Sequence, residues 1–381
     1  MRDWICNMAD TENIIVVKIG SSTLIDSAGR LDRGYLWALA SQMDELRQDG
    51  WKPIIVSSGA IAVGLKALGI STRPKDLPSL QAAASVGEGV LTQAYAEVFS
   101  KFGITTSVVL LTRHDTARRQ AYLHARDALL RLVDFDVIPV VNENDTTSVE
   151  EIKFGDNDTL SAVVACLVKA RRCVIFSDVK GLYDSNPAEN PQAKLISRVD
   201  RITEDVMAVA GGVGSKVGSG GMVTKIRAAR TLMVAGIPLT VCEGHEPRAL
   251  ARIVAGESVG TLFAANTKPH EITNYKLWIA LGDSSKGSLV VDDGAKAALL
   301  QRGKSLLCVG VAQVKGQFEA DDIVDIRDST GHLFARGKVN ASSDEIDLAR
   351  GYSTEQMRHN RLLASMADRP IIHRDELVVF E

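Results

Sequence analysis

NIIVVKIG, residues 13–20, is a short run of mostly β-branched residues that ends in glycine. Similar runs follow it before residue 245: KPIIVSSG, TTSVVLLT, DVIPVVNEND, RCVIFSDV and IPLTVCEG. They are largely apolar rather than alternating, as expected of strands covered on both faces. Stretches with helical spacing separate most of them, at residues 33–48, 81–102, 117–133, 159–169 and 223–235. This order predicts an α/β fold, a mainly parallel sheet sandwiched by helices.

The sequence changes character at about residue 282. Short predicted strands such as GSLVVDDG and DELVVF are separated there by glycine or charged turns, with short helices near residues 295–301 and 343–349. This pattern predicts a second, small β-rich domain. The expected division is a leader at 1–13, an α/β domain at 14–265, a linker at 266–282 and the β-rich domain at 283–381.

The bulk composition excludes several classes of protein. The 381 residues are 45% hydrophobic and 24% charged with a net charge of −3, so no general attraction to nucleic acid or acidic membranes is expected. The five cysteines are scattered without a CxxC pair, which favours reduced thiols. No apolar run reaches the length of a membrane span, and no signal sequence is evident. We expect a soluble, cytoplasmic protein.

The carboxyl ends of the strands are the expected ligand site, because parallel sheets covered by helices bind ligands there. In VVKIGSSTL, residues 16–24, Lys18 precedes Gly20, Ser21 and Ser22. Glycine lets backbone N–H groups approach an anion, and the lysine supplies the counter-charge, so the stretch suits a phosphate. The alternative interpretation is a strand with a lysine extending to solvent and a flexible turn.

GSGGMVTKIRAA, residues 218–229, repeats this chemistry at a predicted helix start. The helix dipole disfavours a cation such as Lys225 in that position unless an anion, for example a polyphosphate, binds there. A mobile surface loop is the alternative. The chain has no P-loop, because Ala298 stands where GKS at 303–305 requires a first glycine, and no GxGxxG follows a strand.

VNENDTTSVEEIKFGDNDTLSAVVA, residues 141–165, concentrates acids and amides between a strand and a helix. Its first part suits a small polar substrate with an ammonium group, and Asp158 could hold two lysine ammonium groups in place. A capped helix start after a solvated loop is the alternative. Ser177 and Asp178, at another strand end, are candidate contacts to a nucleotide or its metal, with an Asx-type turn as the alternative.

The candidate reaction should need little general-base catalysis. The chain has no HRD or DFG motif, no suggestive Cys–His pair and no His-rich metal spacing. Phosphoryl transfer to a carboxylate fits, since this nucleophile is already ionised at pH 7 and catalysis rests on positioning and charge neutralisation. Two lysines facing the phosphoryl group match that demand.

The series VVKIGSS, IIVSSGAIAVG, VIPVVNENDTT, IKFGDNDTLSA, FSDVKGLYDSNP and GSGGMVTKIRAA resembles the motifs of the amino-acid kinase family. GSLVVDDGAKAALLQRGKSLL, residues 287–307, resembles a PUA domain. The resemblance implies the amino-acid kinase fold and transfer of the γ-phosphoryl group of ATP to the γ-carboxylate of L-glutamate, the first step of proline synthesis. It also implies Mg²⁺ carried by ATP and not by protein ligands, a homo-tetramer or dimer, and inhibition by proline.

The resemblance also assigns roles to individual residues. Lys18 and Lys225 would neutralise the transferring phosphoryl group, and Asp158 would organise both lysines. The implied glutamate ligands are Ser58, Asn142, Asp145, Asp156 and Asn157. The implied ATP ligands are Lys18, Gly20, Ser21, Ser177, Asp178, Ser219, Gly220, Gly221, Met222, Val223, Thr224 and Lys225.

Two alternatives stay open from the sequence. One is a kinase of the same fold with another acceptor, such as acetylglutamate or a small acid. The other is RNA binding, because PUA domains often bind RNA. Residues 283–381 contain 13 Lys and Arg against 16 Asp and Glu, a net of −3. This acidic balance disfavours RNA, which proteins usually bind through basic patches.

Overall fold

The computed structural model describes residues 13–26, 29–112, 119–147, 157–187, 189–211, 221–265, 274–281 and 285–380. The chain divides into two compact units, Met1–His270 and Glu271–Glu381. The predicted leader lies outside the described residues except for Asn13.

The first unit is built on a mainly parallel sheet, as the sequence predicts. Its described strands are β1 (Ile14–Ile19), β2 (Lys52–Val56), β3 (Thr105–Leu111), β4 (Val137–Glu143), β5 (Arg172–Ser177), β6 (Arg198–Val199), β7 (Leu239–Glu243) and β8 (Thr261–Phe263). They are ordered β3-β4-β2-β1-β5-β7-β8-β6. The pairing of β7 with β8 is antiparallel and the other described pairings are parallel. Strand β1 is buried along its whole length, which explains its apolar sequence.

Helices connect the strands and cover the sheet. The described helices of this unit are α1 (Ser21–Leu24), α2 (Arg33–Gln48), α3 (Ala60–Ala67), α4 (Leu77–Phe99), α5 (Arg119–Asp134), α6 (Asn157–Leu167), α7 (Glu204–Gly211), α8 (Met222–Val234) and α9 (Ala249–Val254). Helix α2 begins where Asp32 accepts the N–H of Tyr35 at 2.9 Å. Gly50 follows it with φ 79°, a left-handed conformation that ends a helix. Gly103 and Gly236 also follow helical segments, with φ 69° and 78°.

Helix α4 begins earlier than the sequence pattern suggests. The apolar spacing predicts a start at residue 81, but the helix starts at Leu77 because Asp76 accepts the N–H of Ser79 at 2.9 Å. At its other end, a 3₁₀ turn, Ser100–Phe102, continues the chain to Gly103. Capping therefore sets the boundary that periodicity alone misplaces.

Helices α3 and α4 cross at two glycines. A Cβ atom on Gly64 would lie 1.7 Å from the carbonyl oxygen of Ala83, and one on Gly87 would lie 1.8 Å from that of Ala60. Even an alanine at either position would push the helices apart. Because α3 directly follows the carboxyl end of β2, this crossing fixes α4 close to that end of the sheet.

The second unit contains a mixed sheet and short helices. Its described strands are β9 (Gly287–Val291), β10 (Val311–Gly316), β11 (Ile323–Arg327), β12 (Leu333–Lys338) and β13 (Leu377–Val379), ordered β10-β9-β11-β12-β13. Its described helices are α10 (Asn274–Leu281), α11 (Asp293–Arg302), α12 (Ser343–Ala349) and α13 (Thr354–Arg358). The sheet and helices enclose a separate apolar core that includes Leu289, Val324 and Phe334. The second unit is therefore the small β-rich fold that the sequence predicts.

Helix α10 lies within residues 266–282, which the sequence assigns to a linker. Its Ile279 and Ala280 are buried together with Val378 of β13. Apolar residues at helical spacing, not a linker composition, decide the structure of residues 274–281. Among the described residues, no helix combines the length and apolar character needed to cross a membrane.

The helix crossing generates a stability prediction. We expect Gly64→Ala to lower the free energy of unfolding by about 1–3 kcal/mol, because the added Cβ overpacks the contact with α4. The matched control is Gly89→Ala in α4, where a Cβ meets nothing within 4 Å. That change should be neutral or stabilise by up to about 1 kcal/mol. Urea denaturation followed by tryptophan fluorescence measures both, and equal effects of the two substitutions would contradict the prediction.

Candidate active site

The carboxyl ends of four neighbouring strands form one edge of the first sheet. Strands β4, β2, β1 and β5 are adjacent and parallel. The last residues of these strands, or the residues directly after them, include Lys18, Ser58, Asn142 and Ser177. The structure therefore brings four of the predicted site residues to the same edge.

A buried carboxylate between two lysines is the centre of this edge. In the first turn of α6, Asp158 places Oδ1 2.8 Å from Lys18 Nζ and Oδ2 3.1 Å from Lys225 Nζ. The exposed fractions are 0% for Asp158, 7% for Lys18 and 4% for Lys225. Strand β1 and helices α6 and α8 thus meet through three charged side chains, all predicted from the sequence to act together.

The alternation of β1 explains why Lys18 reaches this position. Ile15, Val17 and Ile19 belong to the apolar core that also contains the buried leucines of α2. Because successive side chains of a strand point to opposite faces, Lys18 faces the other side of the sheet. Helix α6 packs against β1 on that side and supplies Asp158.

The electrostatics of the cluster favour an anionic ligand. Burial by itself raises the pKa of Asp158, but the charges of Lys18 and Lys225 and a hydrogen bond from Thr224 outweigh it and hold the pKa at about 2. The carboxylate is therefore ionised at neutral pH. Two ammonium groups against one carboxylate leave a formal net charge of +1 in a site almost closed to water. A positive charge at this point attracts an anionic ligand.

The first turn of α8 supplies the second lysine. Thr224 Oγ1 donates to Asp158 Oδ2 at 2.7 Å, so two consecutive residues of α8 contact the same carboxylate oxygen. This contact offsets the unfavourable position of Lys225 near the positive end of the helix dipole. Of the other residues predicted in this loop, Gly221 is the exposed N-cap, Met222 and Val223 are half-buried, and Ser219 and Gly220 lie outside the described residues.

A network of amides lies next to the lysine cluster. Asn157 Nδ2 donates to Asn142 Oδ1 at 2.8 Å and also to the carbonyl oxygen of Ser57. Asn142 Nδ2 donates to Glu88 Oε2 at 2.7 Å. Burial raises the pKa of Glu88, and the hydrogen bond from Asn142 offsets only part of that effect. The network joins α4, β4, α6 and the end of β2.

The remaining residues predicted to hold a small substrate lie close to this network in the chain. Ser58 is half-buried and follows Ser57. Asp145 is half-buried in the turn after β4 and, with Glu88, lines a cavity of about 390 Å³. Asp156 lies outside the described residues.

The residues predicted to line the phosphate path differ in which polar groups they leave accessible to a ligand. The N–H of Gly20 donates to the carbonyl oxygen of Phe176 at 3.1 Å, so this N–H is used within the protein. Ser21 is exposed at the start of α1. Ser177 Oγ donates to Asp178 Oδ1 at 3.0 Å, and Asp178 is itself exposed. The hydroxyl of Ser21 and the carboxylate of Asp178 are thus the accessible polar groups here.

Comparison with known proteins identifies the family. The model of the amino acid kinase family matches residues 13–243, and that of the PUA domain matches residues 287–360. Over 365 residues the chain is 43% identical to the glutamate 5-kinase of Geobacter sp. strain M21 and 44% identical to that of Geobacter sulfurreducens. Each alignment covers 96% of this chain and 97% of the relative.

The chain belongs to the amino acid kinase family, among the glutamate 5-kinases. The resemblance inferred from the sequence motifs is therefore confirmed. Among solved structures, the UMP kinase of Ureaplasma parvum aligns with a TM-score of 0.47 and 15% identity, over 66% of this chain and 98% of that chain.

Sequence reasoning did not identify Glu88 as part of the site in this amino acid kinase. It lies in α4, far in sequence from the motifs, and only the α3–α4 crossing carries it to Asn142. A signal was present, since Glu88 stands between two glycines, Gly87 and Gly89, inside a predicted helix. Glycines inside a helix cost stability and often have a packing or functional reason.

The lysine cluster generates a second stability prediction. We expect Asp158→Asn to lower the free energy of unfolding by about 3–5 kcal/mol at pH 7, because it leaves two buried ammonium groups without their carboxylate. The control is Asp200→Asn, which breaks an exposed pair with Arg198 and should change little. Urea denaturation measures both variants. A loss no larger for Asp158→Asn than for Asp200→Asn would show that the cluster does not stabilise the fold.

Proposed function

We propose that the chain transfers the γ-phosphoryl group of ATP to the γ-carboxylate of L-glutamate, giving L-glutamyl 5-phosphate and ADP in the first step of proline biosynthesis. The buried Lys18–Asp158–Lys225 cluster is the observation that carries this proposal. Its net positive charge lies at the carboxyl edge of the sheet, where a transferring phosphoryl group requires neutralisation. Similarity to glutamate 5-kinases supplies the acceptor.

The two lysines act on the transferring group. An oxygen of the glutamate γ-carboxylate forms a bond to the γ-phosphorus while the bond to the bridging oxygen breaks, and ADP leaves with that electron pair. Lys18 from β1 and Lys225 from α8 stabilise the charge on the phosphoryl oxygens. Asp158 holds both lysines in place. With a pKa of about 2 it is ionised and engaged, so it orients and does not move protons.

ATP binds along the edge formed by β1, β5 and α8 in this proposal. The phosphates lie near Gly20, Ser21 and the residues 219–225, where the N-terminus of α8 favours negative charge. Ser177 and Asp178 contact the nucleotide. Magnesium would be carried mainly by the ATP phosphates, whose negative charge it would neutralise. Asp158 is engaged by two ammonium groups and is not proposed as a ligand of the metal. Asp178 is an exposed carboxylate that fits a contact to the metal.

L-Glutamate binds on the other side of the cluster, between the ends of β2 and β4. Its ligands in this proposal are Ser58, Asn142, Asp145, Asp156 and Asn157. Proline inhibits at or near the same site, and the chain forms a homo-dimer or tetramer in the cytoplasm. These statements rest on the resemblance to the family. The amide network beside the lysines also supports the assignment of the glutamate ligands.

The first experiment measures acyl phosphate formed from ATP, Mg²⁺ and L-glutamate, trapped with hydroxylamine. We expect glutamate-dependent hydroxamate, and we expect Lys225→Met to lower kcat about 100-fold to 1,000-fold, because one preorganised cation is lost from the transition state. The control is Lys66→Met, an exposed lysine on α3, which should keep activity within about twofold.

Other outcomes of this assay would change the proposal. Product from N-acetylglutamate or aspartate, with none from L-glutamate, would keep the kinase fold and overturn the acceptor. Equal activity of the two lysine variants would remove Lys225 from the mechanism. No product with any acceptor would contradict the kinase activity and favour a regulatory or RNA-binding role.

A further inference from the structure

Glu88 is an acid that the phosphoryl-transfer chemistry does not use. It lies on α4, is half-buried, and its Oε2 accepts from Asn142 Nδ2 at 2.7 Å. The neighbouring Gly87 approaches Ala60 of α3 so closely that no side chain fits between them. Gly87 thus allows the close approach of α4 to α3 that places the Glu88 carboxylate beside Asn142 at the end of β4.

The hydrogen bonds around Glu88 have a defined direction. A carboxylate only accepts, so Asn142 must turn its nitrogen toward Glu88. Its oxygen then faces the backbone N–H of Glu143, 3.0 Å away, and Asn157 Nδ2. The donors and acceptors around Asn142 are therefore all consistent with one assignment of its amide nitrogen and oxygen.

The same logic determines what Asn157 can offer to a ligand. Its two N–H groups are directed at Asn142 Oδ1 and at the carbonyl oxygen of Ser57. Both acceptors belong to the protein. Within the part of the chain that the structure describes, its oxygen is therefore the amide atom that remains for a ligand. An amide oxygen accepts hydrogen bonds and does not donate them. A ligand group at this point must be a donor, such as an ammonium group.

We propose that Glu88 is a positioning residue for the amino-acid acceptor: through Asn142 it holds Asn157 with its amide oxygen toward the substrate, where that oxygen accepts from the α-ammonium group. This inference rests on the proposed function, because it assumes an amino-acid substrate beside the lysine cluster. It adds Glu88 to the residues of the site and assigns the direction in which L-glutamate binds. The α-ammonium group lies at the amide network, and the γ-carboxylate extends to Lys18 and Lys225.

The electrostatic setting of Glu88 agrees with this orientation. Glu88 and Asp145 line the same cavity of about 390 Å³, which also contacts Glu143 and Asn144. Acids on this side attract an ammonium group and repel a carboxylate. The lysine cluster does the opposite, so the two sides together favour one direction of a molecule that carries both groups.

The test is steady-state kinetics of Glu88→Met, which removes the acceptor and keeps a helix-forming side chain of similar size. We expect the KM for L-glutamate to rise about tenfold, with kcat and the KM for ATP changed less than about threefold. The matched control is Glu97→Met on the same helix, whose carboxylate pairs with Arg33 at the surface. It should leave all three constants within about twofold.

Glutarate separates positioning of the ammonium site from a general structural defect, because it is glutamate without the ammonium group. In Glu88→Met, the inhibition constant of glutarate against L-glutamate should change less than about threefold while the KM for L-glutamate rises. An unchanged KM for L-glutamate would overturn the role of Glu88. Equal weakening of glutamate and glutarate would overturn the orientation. Absence of glutamate-dependent product in the wild-type chain would instead contradict the proposed function itself.

An exchanged pair tests the contact even where Glu88→Met does not fold. Asn142→Asp alone sets two carboxylates against each other and should raise the KM for L-glutamate at least tenfold. Adding Glu88→Gln restores a donor and an acceptor with the roles exchanged, while residue 142 still offers an oxygen to Asn157. The double variant should recover at least part of that affinity. A double variant as weak as Asn142→Asp alone would overturn the proposal.

Discussion

The ion pairs of Asp158 with Lys18 and Lys225 are the constraint on which the first unit depends. They join a strand and two helices whose residues are separated by 140 and 67 positions in the sequence. A buried carboxylate is tolerated only when paired, and the same holds for each lysine. Removing Asp158 would leave two buried ammonium groups without their carboxylate, whereas removing either lysine would leave Asp158 paired with the other. The same three side chains therefore form the candidate site and hold β1, α6 and α8 together.

Close packing of helices α3 and α4 provides a second constraint. Gly64 and Gly87 let the two backbones touch, and this contact brings an acid of α4 to the end of β4. The lysine cluster is fixed by charge, whereas the amide network is fixed by the direction of hydrogen bonds to backbone groups of Ser57 and Glu143. The two halves of the site thus use different physical means, and both rest on regular elements of the fold.

The sequence predicts the parts of the structure that depend on local pattern. Apolar runs identify six of the eight described strands of the first unit but not the short β6 and β8, and Gly50, with positive φ, ends α2. Lys18 and Asp158, which the sequence predicts as site residues, lie in contact. Contacts between distant segments are not encoded locally. Periodicity did not place the start of α4 at Leu77, because a single cap decides it, and it did not identify α10. Glu88 was not predicted because its contact with Asn142 depends on the crossing of α3 and α4, which none of the sequence motifs encodes.

The distribution of charge bears on how a carboxylate can attack a polyphosphate. Nucleophile and ATP are both anionic, so their approach is unfavourable unless cations lie between or around them. Lys18, Lys225 and Asp158 together carry a formal net charge of +1 at this point, and their burial strengthens its effect since little water screens it. An exact balance of charges would have made a more stable cluster and a weaker anion site. In the orientation proposed above, this charge binds the γ-carboxylate end of the amino acid and the acids near the amide network favour its ammonium end, so that charge neutralisation and substrate orientation would follow from one arrangement.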